Sequence, residues 1–510
     1  MTAMLLLPIM AFTAVAVDLG AWYSRGEQLQ RYTDAAALAA APLLPDQGDA
    51  NTAAAAVLTK NGVDCAVLSC SMGAVSGSDT KYKVSVTDPR VEQFFSRPFE
   101  NQVEITRSAT AQRVRPVPMG SPRNFLGTNA LFTGVARENL WLSVSGYCAR
   151  NEHGDRITPR SDANGSSGNG NCVPGFGGYV RENVDYSTDG YFYGITFPPG
   201  ATGSHRVEVY DAAHCQFEGT AAGDSGADNA TAARQYEFTV RNNDSNDPRL
   251  TTPLFTQIIS PSNCGTSAGR WVNLGNISNP VGTYYVQVRP VIPTIKTVAE
   301  GQNQFGLRVY SGSWSPCTND STVSGGNVSL NPTCPNVYAV SHLGVYAAIS
   351  GVTPSFFLAS VEAEHAGKIM EVELFDTAEG SLALELLDPN GNAVDFRWEI
   401  ACKDGKYQSQ TGTGCATGEA GPTGGYGNLI SNRLNVSGNG TKPFTRLTQT
   451  GKYSDRLLRL QVTLPTDYAT RYGANTWWRM RYTPQATGSP GDRTTWSVSI
   501  KGDPVRLIPN

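Results

Sequence analysis

An aspartate, a histidine and a serine lie close together in the middle of the chain. DAAHC occupies residues 211–215 and GDSGA occupies residues 223–227. In serine proteases a histidine activates the nucleophilic serine, and in the chymotrypsin fold the triad is assembled from two separate barrels. Only ten residues separate His214 from Ser225, which leaves no room for an intervening domain. We therefore interpret these residues as a strand end and a Gly/Asp turn.

The other histidines are isolated in the sequence. There is no HExxH zinc motif, no GxxxxGK[ST] or GxGxxG phosphate-binding loop, and no GxSxG nucleophile elbow. We expect the protein not to be an enzyme and to need no cofactor. The histidines concerned are His153, His205, His342 and His365.

The stretch NNDSND offers oxygen ligands at alternate positions, as the start of a calcium loop does. These are Asn242, Asp244 and Asn246, but Asp247 stands where the loop needs glycine and Pro253 where it needs a bidentate glutamate. A solvated turn is favoured, and a calcium site outside the EF-hand class stays the alternative.

The ten cysteines predict disulfides. Their number is even and no CxxC occurs, so the spacing fits neither a zinc ribbon nor a thioredoxin-type site. Neighbouring cysteines flank loop-rich stretches that a staple would stabilise, which is typical of an oxidising compartment. Sequence alone cannot fix connectivity, but placement favours Cys65–Cys70, Cys148–Cys172, Cys215–Cys264, Cys317–Cys334 and Cys402–Cys415.

Composition limits the elements that could carry these residues. A chain of 510 residues suggests two or three domains. Only 16% of the residues are charged, while there are 53 glycines and 30 prolines, which favours many short strands joined by turns. The net charge of -4 gives no basic surface for a nucleic acid, so we expect no nucleic-acid partner.

The N-terminal region predicts a membrane-spanning helix over residues 1–23. Residues 1–17 carry no charge, and Trp22 and Tyr23 fall where interfacial aromatic belts lie. A cleaved signal peptide is the alternative, since residues 14–16 read Ala-Val-Ala, but no basic residue precedes the apolar run. Arg25 and Arg31 would place the rest of the chain inside the cell, whereas the cysteine pairs favour the outside. We expect the natural chain to begin earlier.

Residues 5–41 combine an apolar helix containing an early proline with AVDLG, an aromatic residue, a glutamine-rich stretch and DAAALAAA. This order resembles the N-terminal signature of TadE/TadG-like proteins of the tight-adherence (Flp) pilus system. The resemblance continues to about residue 113 and implies a second helix, a strand, a short helix at Val91, Phe94 and Phe95, and a closing strand. It implies a small α/β pilin-like head over residues 24–113. Neither a prepilin-peptidase stretch nor a DxSxS motif is visible.

Beyond the head, three prolines in RVRPVPMGSP favour a linker over residues 114–122. Alternating apolar and polar residues then recur in two blocks, residues 123–312 and 313–510, which end alike in an aromatic strand, a Gly/Pro stretch and an alternating strand. We predict two all-β antiparallel sandwich domains. They resemble bacterial pre-peptidase-type β-sandwich domains.

The TadE/TadG resemblance implies a structural component of a Tad/Flp pilus-assembly apparatus, similar to type IV pilus systems. It would be a single-pass protein of the cytoplasmic membrane with most of the chain outside the cytoplasm, and membrane lipid and apparatus proteins would be its partners. The expected membrane and assembly surface comprises Leu5, Leu6, Leu7, Ile9, Phe12, Val15, Asp18, Leu19, Trp22 and Tyr23. The alternative for this surface is a plain anchor.

A second hypothesis is a cell-surface adhesin or glycan-binding protein that uses the N-terminal helix only as a tether. Clustered aromatic residues could form a platform for surface glycans, although alternating strand aromatics are more often part of a core. The candidates are Tyr191, Phe192, Tyr193, Tyr284, Tyr285, Trp477 and Trp478.

Overall fold

The structure is a computed structural model. It describes residues 2–44, 47–76, 80–95, 103–113, 117–127, 139–145, 155–157, 160–162, 179–181, 187–210, 225–226, 235–245, 247–263, 266, 270–291, 301–315, 334–348, 355–375, 381–401, 407–409, 434–435, 457–484, 491–501 and 505–508. Side chains of the first helix are described from Thr13 onward.

The elements follow one another along the chain with the helices concentrated near the beginning. The helices are α1 (Thr2–Ala40), α2 (Gln47–Lys60) and α3 (Tyr468–Tyr472). The strands of the first half are β1 (Ser69–Ala74), β2 (Lys81–Asp88), β3 (Ile105–Arg113), β4 (Met119–Gly120), β5 (Phe125–Leu126), β6 (Asn139–Ser145), β7 (Arg160–Asp162), β8 (Tyr179–Arg181), β9 (Tyr191–Thr196), β10 (Ser204–Tyr210), β11 (Ser225–Gly226), β12 (Gln235–Arg241), β13 (Pro253–Ile259), β14 (Trp271–Ser278), β15 (Thr283–Val291) and β16 (Gly301–Ser311). Those of the second half are β17 (Asn336–Val340), β18 (Leu343–Ala348), β19 (Ser355–Ser360), β20 (Ile369–Phe375), β21 (Ser381–Leu387), β22 (Arg397–Ala401), β23 (Tyr407–Ser409), β24 (Leu434–Asn435), β25 (Leu457–Thr463), β26 (Trp477–Pro484), β27 (Gly491–Lys501) and β28 (Val505–Ile508).

The chain divides into two compact units. The N-terminal unit consists of residues 1–115, 244–251 and 502–510, and the sandwich unit consists of residues 116–243 and 252–501. The N-terminal unit contains α1, α2 and an antiparallel four-stranded sheet in the order β1-β2-β3-β28. The segment predicted to end the second sandwich therefore supplies a strand to the N-terminal sheet instead, with Leu507 opposite Ala111.

Alanine dominates the core of the N-terminal unit. Because alanine has a small side chain and high helix propensity, DAAALAAA can continue α1 while letting other elements approach it closely. The helix ends as Pro42 enters a short 3-10 turn, Ala41–Leu43. The buried residues that form this core include Ala36, Ala37, Ala40, Ala50, Ala54, Leu58, Tyr82, Val84 and Val86.

Arg107 interrupts the apolar alternation of β3, and its contact with α1 explains why. A Cβ atom at Gly26 would lie 2.6 Å from Nη2 of Arg107. The glycine, which is otherwise unfavourable inside a helix, leaves room for the guanidinium to lie against the helix backbone. The glycine inside α1 and the arginine inside β3 are therefore explained by the same contact.

The sandwich unit is built on two large antiparallel sheets. The main path of one is β14-β10-β16-β6-β18-β27-β20-β25-β22-β23, and that of the other is β13-β12-β15-β9-β17-β4-β19-β26-β21-β24. Their inner faces supply a buried aliphatic and aromatic core that includes Tyr193, Phe305, Trp478 and Trp496. Antiparallel strands with one buried face produce the apolar alternation found in the sequence.

Both sheets continue through the division expected at residues 312 and 313. Strand β17 pairs with β9, and β18 pairs with β6, so strands of the second block extend sheets begun by the first. The segment predicted to be a linker is part of the sandwich unit from Val117 onward. Val117 and Met119 are buried, and β4 pairs with β17 and β19. The prolines of this segment are compatible with a short strand, and its apolar side chains draw it into the core.

Candidate assembly surface

Beyond the N-terminal core, α1 carries apolar side chains that are exposed around the helix. Val15, Val17 and Leu19 are each more than half exposed, and Tyr23 is 71% exposed. Val15, Leu19 and Tyr23 recur every four residues and form one stripe, while Val17 lies on another face. A helix that is apolar on several faces is normally covered by protein or lipid.

Asp18 is the exception within this part of α1. Its side chain is only 1% exposed, and its carboxylate accepts backbone hydrogen bonds from Phe94 at 2.8 Å and from Phe95 at 3.0 Å. Backbone N–H groups bonded to an ionised carboxylate form some of the stronger hydrogen bonds in proteins. Asp18 therefore fixes the segment after β2 against the helix.

This segment was predicted to be a short helix, but residues 91–95 are not helical. The carboxylate of Asp18 accepts hydrogen bonds from the N–H groups of Phe94 and Phe95. The N–H of Val91 donates to the carbonyl of Val103. The two phenylalanine side chains consequently project outward and are 60% and 53% exposed.

Further polar contacts fix the helix about two to three turns beyond Asp18. Nε of Arg25 donates to Oδ2 of Asp88 at 2.8 Å, and Asp88 is a buried residue at the end of β2. The amide of Gln30 donates to Asp34 at 2.8 Å and to the carbonyl of Ser108 in β3 at 3.2 Å. These contacts help to hold α1 on the sheet, and they leave the exposed side chains of Val15, Leu19 and Tyr23 uninvolved.

The stripe on the helix and the loop after β2 both expose large apolar side chains, and we call these the apolar surface: Val15, Leu19, Tyr23, Phe94 and Phe95. Exposed apolar side chains grouped on a fold are typical of contact sites with protein or lipid. The sequence contains the helical part of this surface, but it does not reveal Phe94 and Phe95, because only the Asp18 contacts bring them to the helix.

The predicted assembly residues occupy different positions in this arrangement. Val15, Leu19 and Tyr23 are exposed as expected, whereas Asp18 is buried and Trp22 is half-buried, so neither forms part of the exposed surface. Asp18 instead positions the loop that carries the phenylalanines. The remaining predicted side chains lie outside the described residues: Leu5, Leu6, Leu7, Ile9 and Phe12.

Within the described part of the chain, no helix has an apolar stretch long enough to cross a membrane.

One of the predicted cysteine pairs is present in the structure. Cys65 and Cys70 form a disulfide with their Cα atoms 5.4 Å apart, and this bond ties the turn before β1. Cys334 is also disulfide-bonded, and its partner lies outside the described residues. The cysteines at the other predicted positions lie outside the described residues as well: Cys148, Cys172, Cys215, Cys264, Cys317, Cys402 and Cys415.

The calcium and protease-like motifs are only partly described. Asn242 uses its side-chain oxygen to accept the backbone N–H of Asn243, while Asn246 lies outside the described residues, as does His214. Among the residues with described positions, no three His, Cys, Asp or Glu side chains are grouped as a metal site would require. The solvated turn stays the prediction for this stretch, and a calcium site stays its alternative.

The aromatic residues suggested as a glycan platform are buried in the sandwich unit. None of Tyr191, Phe192, Tyr193, Tyr284, Tyr285, Trp477 and Trp478 is more than 9% exposed. Stacking on a sugar requires an exposed ring face, so these side chains do not form the suggested platform. Tyr191 instead donates its hydroxyl to buried Asp155 at 2.7 Å, and burial raises the pKa of Tyr191 well above its usual range.

Comparison with known families bears on the helix that carries the apolar surface. Residues 1–43 match the Tad family, described as Flp pilus-assembly TadE/G-like. This N-terminal segment is TadE/G-like. The TadE/G-like segment comprises α1 and the 3-10 turn after it, and therefore includes the exposed stripe of Val15, Leu19 and Tyr23.

No protein of curated function matches the sequence. Among solved structures, a chain from the structure of infectious bursal disease virus Gt strain aligns at 13% identity over 79% of this chain and 80% of that chain, with a TM-score of 0.08. A likeness at that level carries no argument about fold or function.

Proposed function

We propose that the protein is a membrane-anchored, extracytoplasmic structural component of a Tad/Flp pilus-assembly apparatus, and that it has no catalytic role. The observation that carries this proposal is the TadE/G-like match to residues 1–43, the segment that bears the exposed helical part of the apolar surface. In this proposal α1 anchors the chain in the membrane, and the apolar surface contacts lipid and apparatus proteins. The head is the equivalent of a pilin head.

The arrangement of polar contacts supports an assembly role for the surface. Asp18 and Arg25 attach α1 to the head through hydrogen bonds, so the exposed apolar side chains remain free to contact a partner. Burial of these side chains by lipid or protein would be favourable by about 25 cal/mol for each Å² of apolar area removed from water. The disulfide at Cys65 and the disulfide-bonded Cys334 support an extracytoplasmic location, because such bonds persist in oxidising compartments.

The decisive experiment is deletion of the gene in the native cell, with surface pili counted by electron microscopy and adherence measured. We expect the deletion to remove or shorten the pili, and we expect the wild-type gene to restore them. Leu19→Lys and Phe94→Lys should each fail to restore them, because a charge on the apolar surface opposes its burial. Val281→Lys is the matched control, since Val281 is an exposed apolar residue of the sandwich unit. Unchanged pilus number, length and adherence in the deletion strain contradict the proposal.

Topology is tested separately by a protease site in the exposed turn at Asn61 and Gly62, which follows α2. Protease added outside the cytoplasmic membrane should cut this site in intact cells. Protection of the site, together with cleavage after the membrane is opened, would show that the head faces the cytoplasm.

A further inference from the structure

The C-terminal strand β28 is weakly attached to the sheet of the N-terminal unit. It has four residues, whereas β2 has eight and β3 has nine, and among the described strands it pairs with β3 alone. Val505 is half-buried against the alanine-rich core, but Leu507 is 43% exposed. Segments that bury little apolar surface open locally at a low free-energy cost. We therefore expect β28 to leave the sheet more readily than β2 or β3.

A short stretch of sequence joins β28 to the sandwich unit. Only Gly502, Asp503 and Pro504 separate it from β27, which belongs to a large sheet of that unit. Short connections next to a terminal element favour exchange of that element between two copies of a chain. The exchanged element makes the same contacts in the second copy as in its own chain, so the exchange is opposed mainly by the entropy of association and is favoured by high concentration.

The place that β28 occupies is a strand-binding site formed by β3 and α1. The strand pairs antiparallel with β3, with Leu507 opposite Ala111, and it also contacts α1. Ala111 belongs to the core that the helix and the sheet share. The single charged residue of β28, Arg506, lies opposite Gln112, so no like charges oppose each other. Main-chain hydrogen bonds hold a strand added to an open edge, and side-chain fit selects which strand binds. The strand that fits this edge in register is residues 505–508, and every copy of the chain carries it.

We propose that the edge of β3 is a strand-exchange site, at which the β28 segment of a second copy replaces the chain's own β28. Reciprocal exchange closes a dimer, whereas exchange passed from copy to copy links the chains into an open series. The inference rests on β3 and β28 and is independent of the proposed role of the apolar surface, so either can fail without the other.

The test uses full chains purified in detergent and two variants at one pair of the register, Ala111→Cys and Leu507→Cys. Directly opposed residues of antiparallel strands have Cα atoms about 4.5–5.5 Å apart, which is within the range of a disulfide. The two variants are mixed under mild oxidation, and the products are analysed by non-reducing electrophoresis and peptide mass spectrometry. We expect a disulfide between position 111 of one chain and position 507 of the other, with a yield that rises with protein concentration.

Two controls accompany the mixture. The double variant Ala111→Cys/Leu507→Cys should close the bond within one chain, because the two positions face each other in the structure. Val281→Cys, at an exposed site of the sandwich unit, replaces Leu507→Cys in the second control. Its yield of mixed disulfide with Ala111→Cys should be at least about tenfold lower, because only a paired strand holds the two thiols at a high effective concentration.

Closure of the bond in the double variant, with no mixed disulfide above the Val281→Cys level, would show that β28 stays in its own chain and would overturn the proposal. A double variant that does not close the bond overturns it too, because the register that defines the site would be absent. Hydrogen exchange of the wild type tests local opening without any substitution. The slowest amides of residues 505–508 should exchange at least about tenfold faster than the slowest amides of β2, and equal protection would contradict the proposal.

Discussion

The two units of this protein differ in where their large aromatic side chains lie. The sandwich unit buries its largest aromatic residues, including Trp478 and Trp496, between its sheets. The N-terminal unit fills its core mainly with alanine, valine and leucine and leaves Tyr23, Phe94 and Phe95 exposed. The Asp18 carboxylate holds the backbone of Phe94 and Phe95 against α1. Aromatic residues therefore form the core of the sandwich unit, whereas three of them lie on the surface of the N-terminal unit.

The difference between the two units is tested most directly by removing one aromatic side chain from each unit and comparing the loss of stability. Trp478→Ala should lower the free energy of unfolding by about 3–5 kcal/mol, because it opens a cavity and removes the indole N–H that donates to the hydroxyl of Tyr468 at 2.8 Å. Tyr23→Ala should change it by less than about 0.5 kcal/mol, because the ring is exposed. Urea unfolding of the full chain in detergent measures both. Equal losses in the two variants would contradict the comparison.

Sequence patterns anticipated most of the sandwich strands because alternation directly reports a half-buried antiparallel strand. The segments HRVEVYDA, RQYEFTVR and RLLRLQVTL all contain strands close to their expected bounds. Strand pairing could not be read in the same way, since the partners β9 and β17 are separated by many residues and no local signal links them. The continuity of the sheets through residues 312 and 313 was therefore missed.

The candidate site was predictable only where it is helical. A run of apolar residues in α1 gave Val15, Leu19 and Tyr23, but the role of Asp18 depends on a loop that is distant in sequence. A lone carboxylate next to an apolar run is equally compatible with an interfacial residue and with a buried hydrogen-bond acceptor. Only the fold decides between them, and it favours the second.

A second prediction sharpens the comparison by testing what holds the phenylalanines outward. Asp18→Ala leaves the N–H groups of Phe94 and Phe95 without their carboxylate and should cost the N-terminal unit about 1–3 kcal/mol. Hydrogen exchange should speed up at these two amides, while the sandwich unit is unaffected. Glu27→Gln, an exposed site on the same helix, is the control. Unchanged exchange at residues 94 and 95 would remove Asp18 from this role.

The smallest expected effect concerns the charged outer face of the sandwich unit. Burial alone would raise the pKa of Glu373, but the hydrogen bond from Arg459 at 2.9 Å and the charge of Arg156 at 3.1 Å hold that pKa below its ordinary value of 4.5. Stability from this carboxylate is therefore present above pH 4.5 and is lost as the pH falls through the lowered pKa.

Glu373→Gln should cost about 1 kcal/mol near neutral pH, and the difference from the wild type should shrink as the solution becomes more acidic. Urea unfolding at several pH values measures this difference. A difference that stays constant with pH would mean that the charge of Glu373 does not contribute to stability.

The pairing of β28 with β3 has a consequence for the order in which the protein can fold during synthesis. The sheet of the N-terminal unit includes β28, yet all of residues 116–501 are translated between its third strand and its fourth. The ribosome therefore makes α1, α2 and three strands of this sheet long before the strand that completes it. Until then the edge of β3 lacks its partner strand, so the N-terminal sheet is completed only after the sandwich unit has been made.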